Sequence, residues 1–120
     1  MKSRYLSQFD NEQLIVKFAR AADKLGNAIN LWLPTERETE NLLSIRNEIR
    51  LRGPKARRQL IPLLEHDNRF VRYYAAQQLL ALEPKRSRQI IEENAKQGDA
   101  VAGDAGMFLY FLDSGVYKPE

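Results

Sequence analysis

Apolar residues recur along most of the chain at spacings of three and four, which is the period of an amphipathic α-helix. The clearest case begins after Asp67-Asn68, where either side chain can cap a helix, and ends before Pro84, which cannot continue one. Its apolar face is formed by Val71, Ala75, Leu79 and Leu82. No segment alternates apolar and polar residues with the period of two that marks a strand, so we predict an all-α protein.

The same spacing, with its capping residues, prolines and glycines, predicts five more helices. They cover residues 10–31, 35–52, 54–65, 84–96 and 99–114. Thr35 and Glu38 have the spacing of a capping box, and Pro62 should kink or shorten the helix that contains it. Gly53, Gly98 and Gly115 are predicted helix terminators. Gly26, inside the first helix, should weaken that helix by about 1 kcal/mol relative to alanine.

Two of the predicted helix pairs repeat each other at a distance of thirty residues. Val71, Ala75, Leu79 and Leu82 fall on Val101, Ala105, Leu109 and Leu112, and Ala76 falls on Gly106. The small residues at these positions predict close approach of neighbouring helices. A repeat of this length is typical of a solenoid, although chance similarity between two amphipathic hairpins is the alternative.

A chain of 120 residues fits one domain, and the repeat divides it further. We predict a single domain over residues 1–120. Residues 10–53 form a degenerate N-terminal pair, 54–83 and 84–115 form two repeats, and 116–120 form a tail. A poorly matching first pair is expected of a capping unit, because its outer face meets water.

The repeat carries a resemblance to a known class of helical proteins. Asp67-x-x-x-Val71-Arg72-x-x-Ala75-Ala76-x-x-Leu79-Leu80, then Pro84, resembles the second helix of a HEAT-like repeat, and Leu60-Ile61-Pro62-Leu63-Leu64 resembles the end of the first. Over about residues 46–116 the chain also resembles a small family of bacterial single-domain proteins of unknown function with a HEAT-like fold.

The resemblance implies a right-handed α-α superhelix of about three antiparallel helix pairs. It also implies that Asp67 and Arg72 join adjacent repeats as structural residues. Ala102 stands where the second repeat should have its arginine, so the ladder of joining residues is expected to stop after one rung.

The middle of the chain is basic, which raises the possibility of an acidic partner. Residues 46–88 carry 11 basic and 4 acidic side chains. The alternative surface for nucleic acid consists of Lys55, Arg57, Arg58, Arg69, Arg72, Lys85, Arg86 and Arg88. HEAT-like DNA glycosylases hold DNA, but the sequence offers no base-excision site. We expect these side chains to disperse over helix surfaces and to bind nucleic acid only weakly.

The residues that usually carry chemistry are sparse. The chain has no cysteine and one histidine, His66, so a thiol nucleophile is excluded and a zinc site would be unusual. The acidic residues Glu92, Glu93, Asp99 and Asp104 are explained by solvation or capping. Residues 98–106 are glycine-rich but follow a helix, so they are no dinucleotide motif. We expect no enzyme, cofactor or metal site, no signal peptide or membrane span, and a cytoplasmic protein.

A second set of residues lies opposite the main apolar face and suggests a binding surface. It comprises Phe70, Tyr73 and Gln77, with Met107 and Tyr110 contributed by the next repeat. If exposed, these side chains would form an inner face for a partner; the alternative is burial under the tail or a neighbouring helix. We therefore predict a non-enzymatic protein-binding module with an unidentified protein partner. A regulatory or immunity-type role rests on fold analogy alone.

Overall fold

The structure, a computed structural model, describes residues 2–120, with side chains described from Arg4 onward. Over that range it contains seven α-helices, one 3-10 helix and no strand. The α-helices are α1 (Lys2–Leu6), α2 (Asn11–Asn30), α3 (Glu36–Leu51), α4 (Pro54–Arg58), α5 (Arg69–Leu79), α6 (Pro84–Ala95) and α7 (Ala100–Asp113), and the 3-10 helix is Ile61–Glu65. The predicted all-α class is confirmed.

Side chains accept the free N–H groups of the first turn at the starts of α2, α5 and α7. Asp10 and Gln13 form a reciprocal capping box at α2. Asn68, rather than Asp67, caps α5 by accepting from the Phe70 N–H at 2.8 Å. The capping box predicted at Thr35 is wrong, because Thr35 makes no side-chain cap hydrogen bond. Its backbone (φ −117°, ψ 1°) lacks the extended conformation that Asp10 and Asn68 adopt.

Two elements differ from the predicted helices. The five-residue helix α1 was not predicted, and it packs on α3 with Leu6 buried. The predicted helix over 54–65 is two elements, α4 and the 3-10 helix that contains Pro62, because Pro62 supplies no N–H to continue an α-helix. Gly53 terminates the preceding helix as predicted, with a φ of 94° that favours glycine.

Helix α2 occupies the middle of the packing. It contacts α3, α5 and α7, while α5 packs on the 3-10 helix and on α6, and α6 packs on α7. In a linear stack each repeat contacts only its neighbours. Here α2 of the first helix pair also contacts α7 of the third pair, so the arrangement is more closed than a linear stack. The radius of gyration of 13.7 Å agrees with this closure, since a compact domain of this size has one of roughly 13–14 Å.

The repeated apolar positions form the core only in part as predicted. Val71, Ala75, Ala76, Leu79, Val101 and Ala105 are all buried, whereas Leu109 and Leu112 are only partly buried. Gly106 is exposed, and a Cβ added to it would meet no atom of another element within 4 Å, so its predicted role in close helix contact is wrong. The reason is position: no described helix follows α7, so one side of α7 faces solvent.

Candidate functional site

Polar side chains of α2 fix the first turns of both α5 and α7. The Asn68 side chain donates to the Asp23 carboxylate at 2.6 Å, and the Asn30 side chain donates to Asp99 at 3.0 Å. The Asn30 amide oxygen also accepts from the Val101 N–H. Asp23 and Asn30 are two helical turns apart and so lie on one face of α2. A single face of α2 therefore sets the positions of two other helices.

Arg69, the first residue of α5, joins the helix pair of residues 54–83 to the helix pair of residues 84–115. Its guanidinium binds both carboxylate oxygens of Asp99 at 2.5 and 2.9 Å, and its Nε donates to Asn94 at 2.6 Å. The hydrogen bond from Arg69, with further bonds from the Ala102 N–H and Asn30, holds the pKa of Asp99 well below its usual range.

Asp67 and Arg72, which we expected to join the repeats, do not do so. Arg72 donates to the backbone carbonyls of His66 and Asp67 at 2.7 and 2.9 Å, within the turn that precedes its own helix. His66 belongs to the same turn, where its Nδ1 accepts from the Asn68 N–H at 3.0 Å. These residues therefore shape a turn, and the joining role belongs to Arg69 and Asp99.

The predicted inner face is divided by the packing. Tyr73 is fully buried and its hydroxyl donates to Asp104 at 2.7 Å. Burial, and then the Asp104 charge, raise the pKa of Tyr73. The Phe70 ring lies over Gly26 of α2. The prediction that Phe70 and Tyr73 belong to an exposed binding surface is therefore wrong. Of the predicted residues, Gln77, Met107 and Tyr110 remain as candidates for that surface.

Gln77 and Met107 line a groove of about 360 Å³ between α2, α3, α5 and α7. Its apolar lining is Leu25, Ile29, Leu42, Leu43, Met107, Phe108 and Phe111. Its polar lining is Thr39, Arg46, Tyr74, Gln77, Gln78 and Asp104. The volume lies within the range of sites that hold small molecules or side chains of a partner.

The groove carries opposite charges on two of its helices. Arg46 of α3 supplies the cation and Asp104 of α7 the anion. Burial, followed by the charge of Asp104, raises the pKa of Tyr74. Among the residues that the structure describes, the Tyr74 hydroxyl and the Gln78 Oε1 are buried without a hydrogen-bond partner. The groove thus combines apolar walls with a few polar groups that fix orientation.

Several of these groove residues were not predicted from the sequence, among them Leu43, Phe108 and Phe111. Leu43 stands next to the buried Leu42 but off the apolar stripe of α3, so an extra apolar residue on the polar side was the available signal. Phe108 and Phe111 belong to α7, which carries apolar residues on nearly every side. A helix of that kind is either buried all round or carries an exposed apolar face.

Three of the six arginines of the predicted basic surface bind acidic side chains. Arg69 binds Asp99, Arg86 binds Glu65 at 3.1 Å, and Arg88 binds Asp113 at 2.7 Å. Hydrogen bonds from Arg88 to Asp113 and Glu92 raise the pKa of Arg88. Arg57 donates to the backbone carbonyl of Glu120. The exposed members are Lys55, Arg58 and Lys85.

No group of three histidine or acidic side chains among the described residues is placed to hold a metal ion. None of their helices is long and apolar enough to cross a membrane.

These features define an all-α helical domain with an open, mixed apolar and polar groove. Residues 12–113 match the family described as Domain of unknown function (DUF2019), and the chain belongs to this family of small bacterial domains. The chain is similar to the protein RPA1889 from Rhodopseudomonas palustris CGA009, known from a crystal structure. The identity is 32%, the TM-score is 0.81, and the match covers 96% of this chain and 98% of that one. No curated protein matches the chain.

Proposed function

We propose that this domain binds a segment of another protein in the groove between α2, α3, α5 and α7. The observation that carries the proposal is the exposed apolar rim of the groove: Leu43, Met107 and Phe111 are 40%, 58% and 39% exposed. Apolar side chains left exposed around a concave site are a feature of surfaces that bind partners.

The chemistry of the groove favours binding over catalysis. Its ionisable side chains are Arg46, Tyr74 and Asp104. Arginine stays protonated in proteins, and burial raises the pKa of Tyr74, so that phenol also keeps its proton. Asp104 accepts the hydrogen bond of Tyr73. This set supplies groups that orient a ligand and offers no activated nucleophile beside a base.

We further infer that the pairs formed by residues 54–83 and 84–115 are HEAT-like repeats in a tightly curved superhelix. The shared burial of Val71 and Ala75 with Val101 and Ala105 supports a common register. The contact of α2 with α7 then reflects the curvature, which brings the N-terminal pair against the last one. A regulatory or immunity-type role would suit a small module of this kind, by fold analogy alone.

Site-specific photo-cross-linking in cells of the native host tests the proposed function. A photoreactive phenylalanine replaces Met107 at the groove, and a matched variant carries it at Val16, an apolar position of α2 with a similar exposure of 49% that does not line the groove. We expect a discrete cross-linked protein from Met107 and none from Val16. Identical products from both positions, or no product at Met107, would contradict the proposal.

A further inference from the structure

The tail segment, residues 116–120, folds back beside the groove. Gly115 turns the chain with a φ of 81°, and the Tyr117 N–H then donates to the Phe111 carbonyl at 3.0 Å. The Tyr117 ring packs on the Phe108 ring with centroids 5.0 Å apart. Because Phe108 and Phe111 both line the groove, the tail segment lies against its wall.

The end of the tail segment contacts arginines of α3 and α4. The Glu120 carboxylate pairs with Arg50 Nη1 at 2.9 Å, and the Glu120 carbonyl accepts from Arg57. Arg46 lies one turn before Arg50 on α3 and lines the groove. Burial, and then the charge of Arg50, lower the pKa of Arg46, while Tyr117 and Glu120 oppose that shift. Three arginines therefore face one acidic residue.

These arginines have more donors than the tail segment satisfies. Within the described part of the chain, the Nε atoms of Arg50 and Arg57 are buried without a hydrogen-bond partner. The Glu120 side chain that pairs with Arg50 is itself 69% exposed, so water weakens this ion pair. Like charges four residues apart on a helix, as in Arg46 and Arg50, repel each other and favour a bound anion.

We propose that Arg46, Arg50 and Arg57 form a carboxylate-binding subsite at one end of the groove. The partner is then an acidic protein segment in which an aromatic residue is followed within a few positions by a carboxylate. The tail segment, with Tyr117 on Phe108 and Glu120 on the arginines, occupies this subsite and is displaced when the partner binds. This inference rests on the proposed function, because it specifies the segment that enters the groove.

Two synthetic peptides measure the subsite directly. A fluorescein-labelled Ser-Gly-Val-Tyr-Lys-Pro-Glu peptide copies residues 114–120, and a matched peptide ends in Gln. Fluorescence anisotropy follows their binding to the full chain and to a Tyr117→Ala/Glu120→Gln variant whose own tail is released. We expect the released variant to bind the acidic peptide at least tenfold more tightly than the unaltered chain does. We also expect it to bind the Gln peptide at least tenfold more weakly than the acidic one.

Arginine variants in the released background complete the test. Arg50→Gln and Arg57→Gln, made singly, should each reduce the affinity for the acidic peptide at least fivefold, and added salt should weaken it further. Single variants and the peptide pair keep the test independent of any one substitution that disturbs folding. Equal affinity for both peptides, no binding by the released variant, or unchanged affinity in both arginine variants would overturn the subsite. Cross-linking at Met107 in those cases would still support the groove, which separates the two proposals.

Discussion

Replacing Gly26 by alanine has two opposing effects on stability. Alanine favours a helix more than glycine does, but the packing around Gly26 leaves no room for a Cβ. Gly26 is buried within α2, and an added Cβ would lie 2.2 Å from Cγ of the Phe70 ring. Carbon atoms in contact are normally about 3.5–4.0 Å apart. Cγ is the base of the ring, so the clash cannot be relieved by rotating the ring about its own axis. The Arg69 guanidinium, 5.0 Å from the ring centroid, further limits movement of the ring.

The two effects differ enough in size to predict the sign. Overpacking of a tight site costs about 1–3 kcal/mol, and an overlap this deep belongs near the upper end. Alanine in place of glycine in a helix interior raises the free energy of unfolding by about 1 kcal/mol. We therefore expect Gly26→Ala to lower the free energy of unfolding by about 1–2 kcal/mol. For a domain of this size that corresponds to a fall of about 4–8 °C in Tm.

Chemical denaturation with a matched glycine decides between packing and propensity. Gly103 lies inside α7, is exposed, and has no described atom within 4 Å of an added Cβ, so Gly103→Ala should raise stability by about 0.5–1 kcal/mol. In a Phe70→Ala background the penalty of Gly26→Ala should disappear, which a double-mutant cycle measures. If Gly26→Ala stabilises the domain as Gly103→Ala does, the contact of α2 with α5 is misassigned.

Three other predictions follow from the core, the joining residues and the basic surface. In urea denaturation, Leu79→Ala should cost about 2–5 kcal/mol, whereas Leu109→Ala should cost about 1–2 kcal/mol because Leu109 is only partly buried. The lowered pKa of Asp99 stabilises the fold above the ordinary carboxyl pKa of about 4, and this contribution is lost as pH falls below it. Asp99→Asn should therefore lose less stability than the unaltered chain between pH 6 and pH 3. Duplex and single-stranded oligonucleotides should bind with a Kd near or above ~10⁻⁵ M at physiological salt, measured by anisotropy.

Each of these predictions has an outcome that contradicts it. A loss under about 0.5 kcal/mol in Leu79→Ala is what a surface position gives, and would reject the core register. If Asp99→Asn and the unaltered chain lose equal stability between pH 6 and pH 3, Asp99 does not contribute to the pH dependence of folding. Submicromolar binding of DNA at moderate salt, weakened by Arg57→Glu with Arg58→Glu, would make nucleic acid the favoured partner in place of a protein.

The local sequence pattern was enough to predict every described helix except α1, and most of the helix ends. Period, capping side chains and prolines act within a few residues, so the break at Pro62 and the terminator at Gly53 could be read without tertiary contacts. The buried stripe of Val71, Ala75 and Leu79 was predictable for the same reason. The start of α5 shows where prediction from local sequence fails. Both Asp67 and Asn68 have side chains that can cap a helix, but only Asn68 does so.

Which helix faces meet depends on tertiary contacts. A helical wheel places Tyr73 and Met107 on equivalent faces, but whether a second helix covers a face depends on residues distant in the sequence. Tyr73 is fully buried and its hydroxyl donates to Asp104 of α7, whereas Met107 is 58% exposed. Arg69, and not the predicted Arg72, joins the two helix pairs. The reason is that Asn30 of α2 fixes the position of α7, which brings Asp99 to Arg69. The groove and its arginines exist only through such distant contacts, which a local period cannot encode.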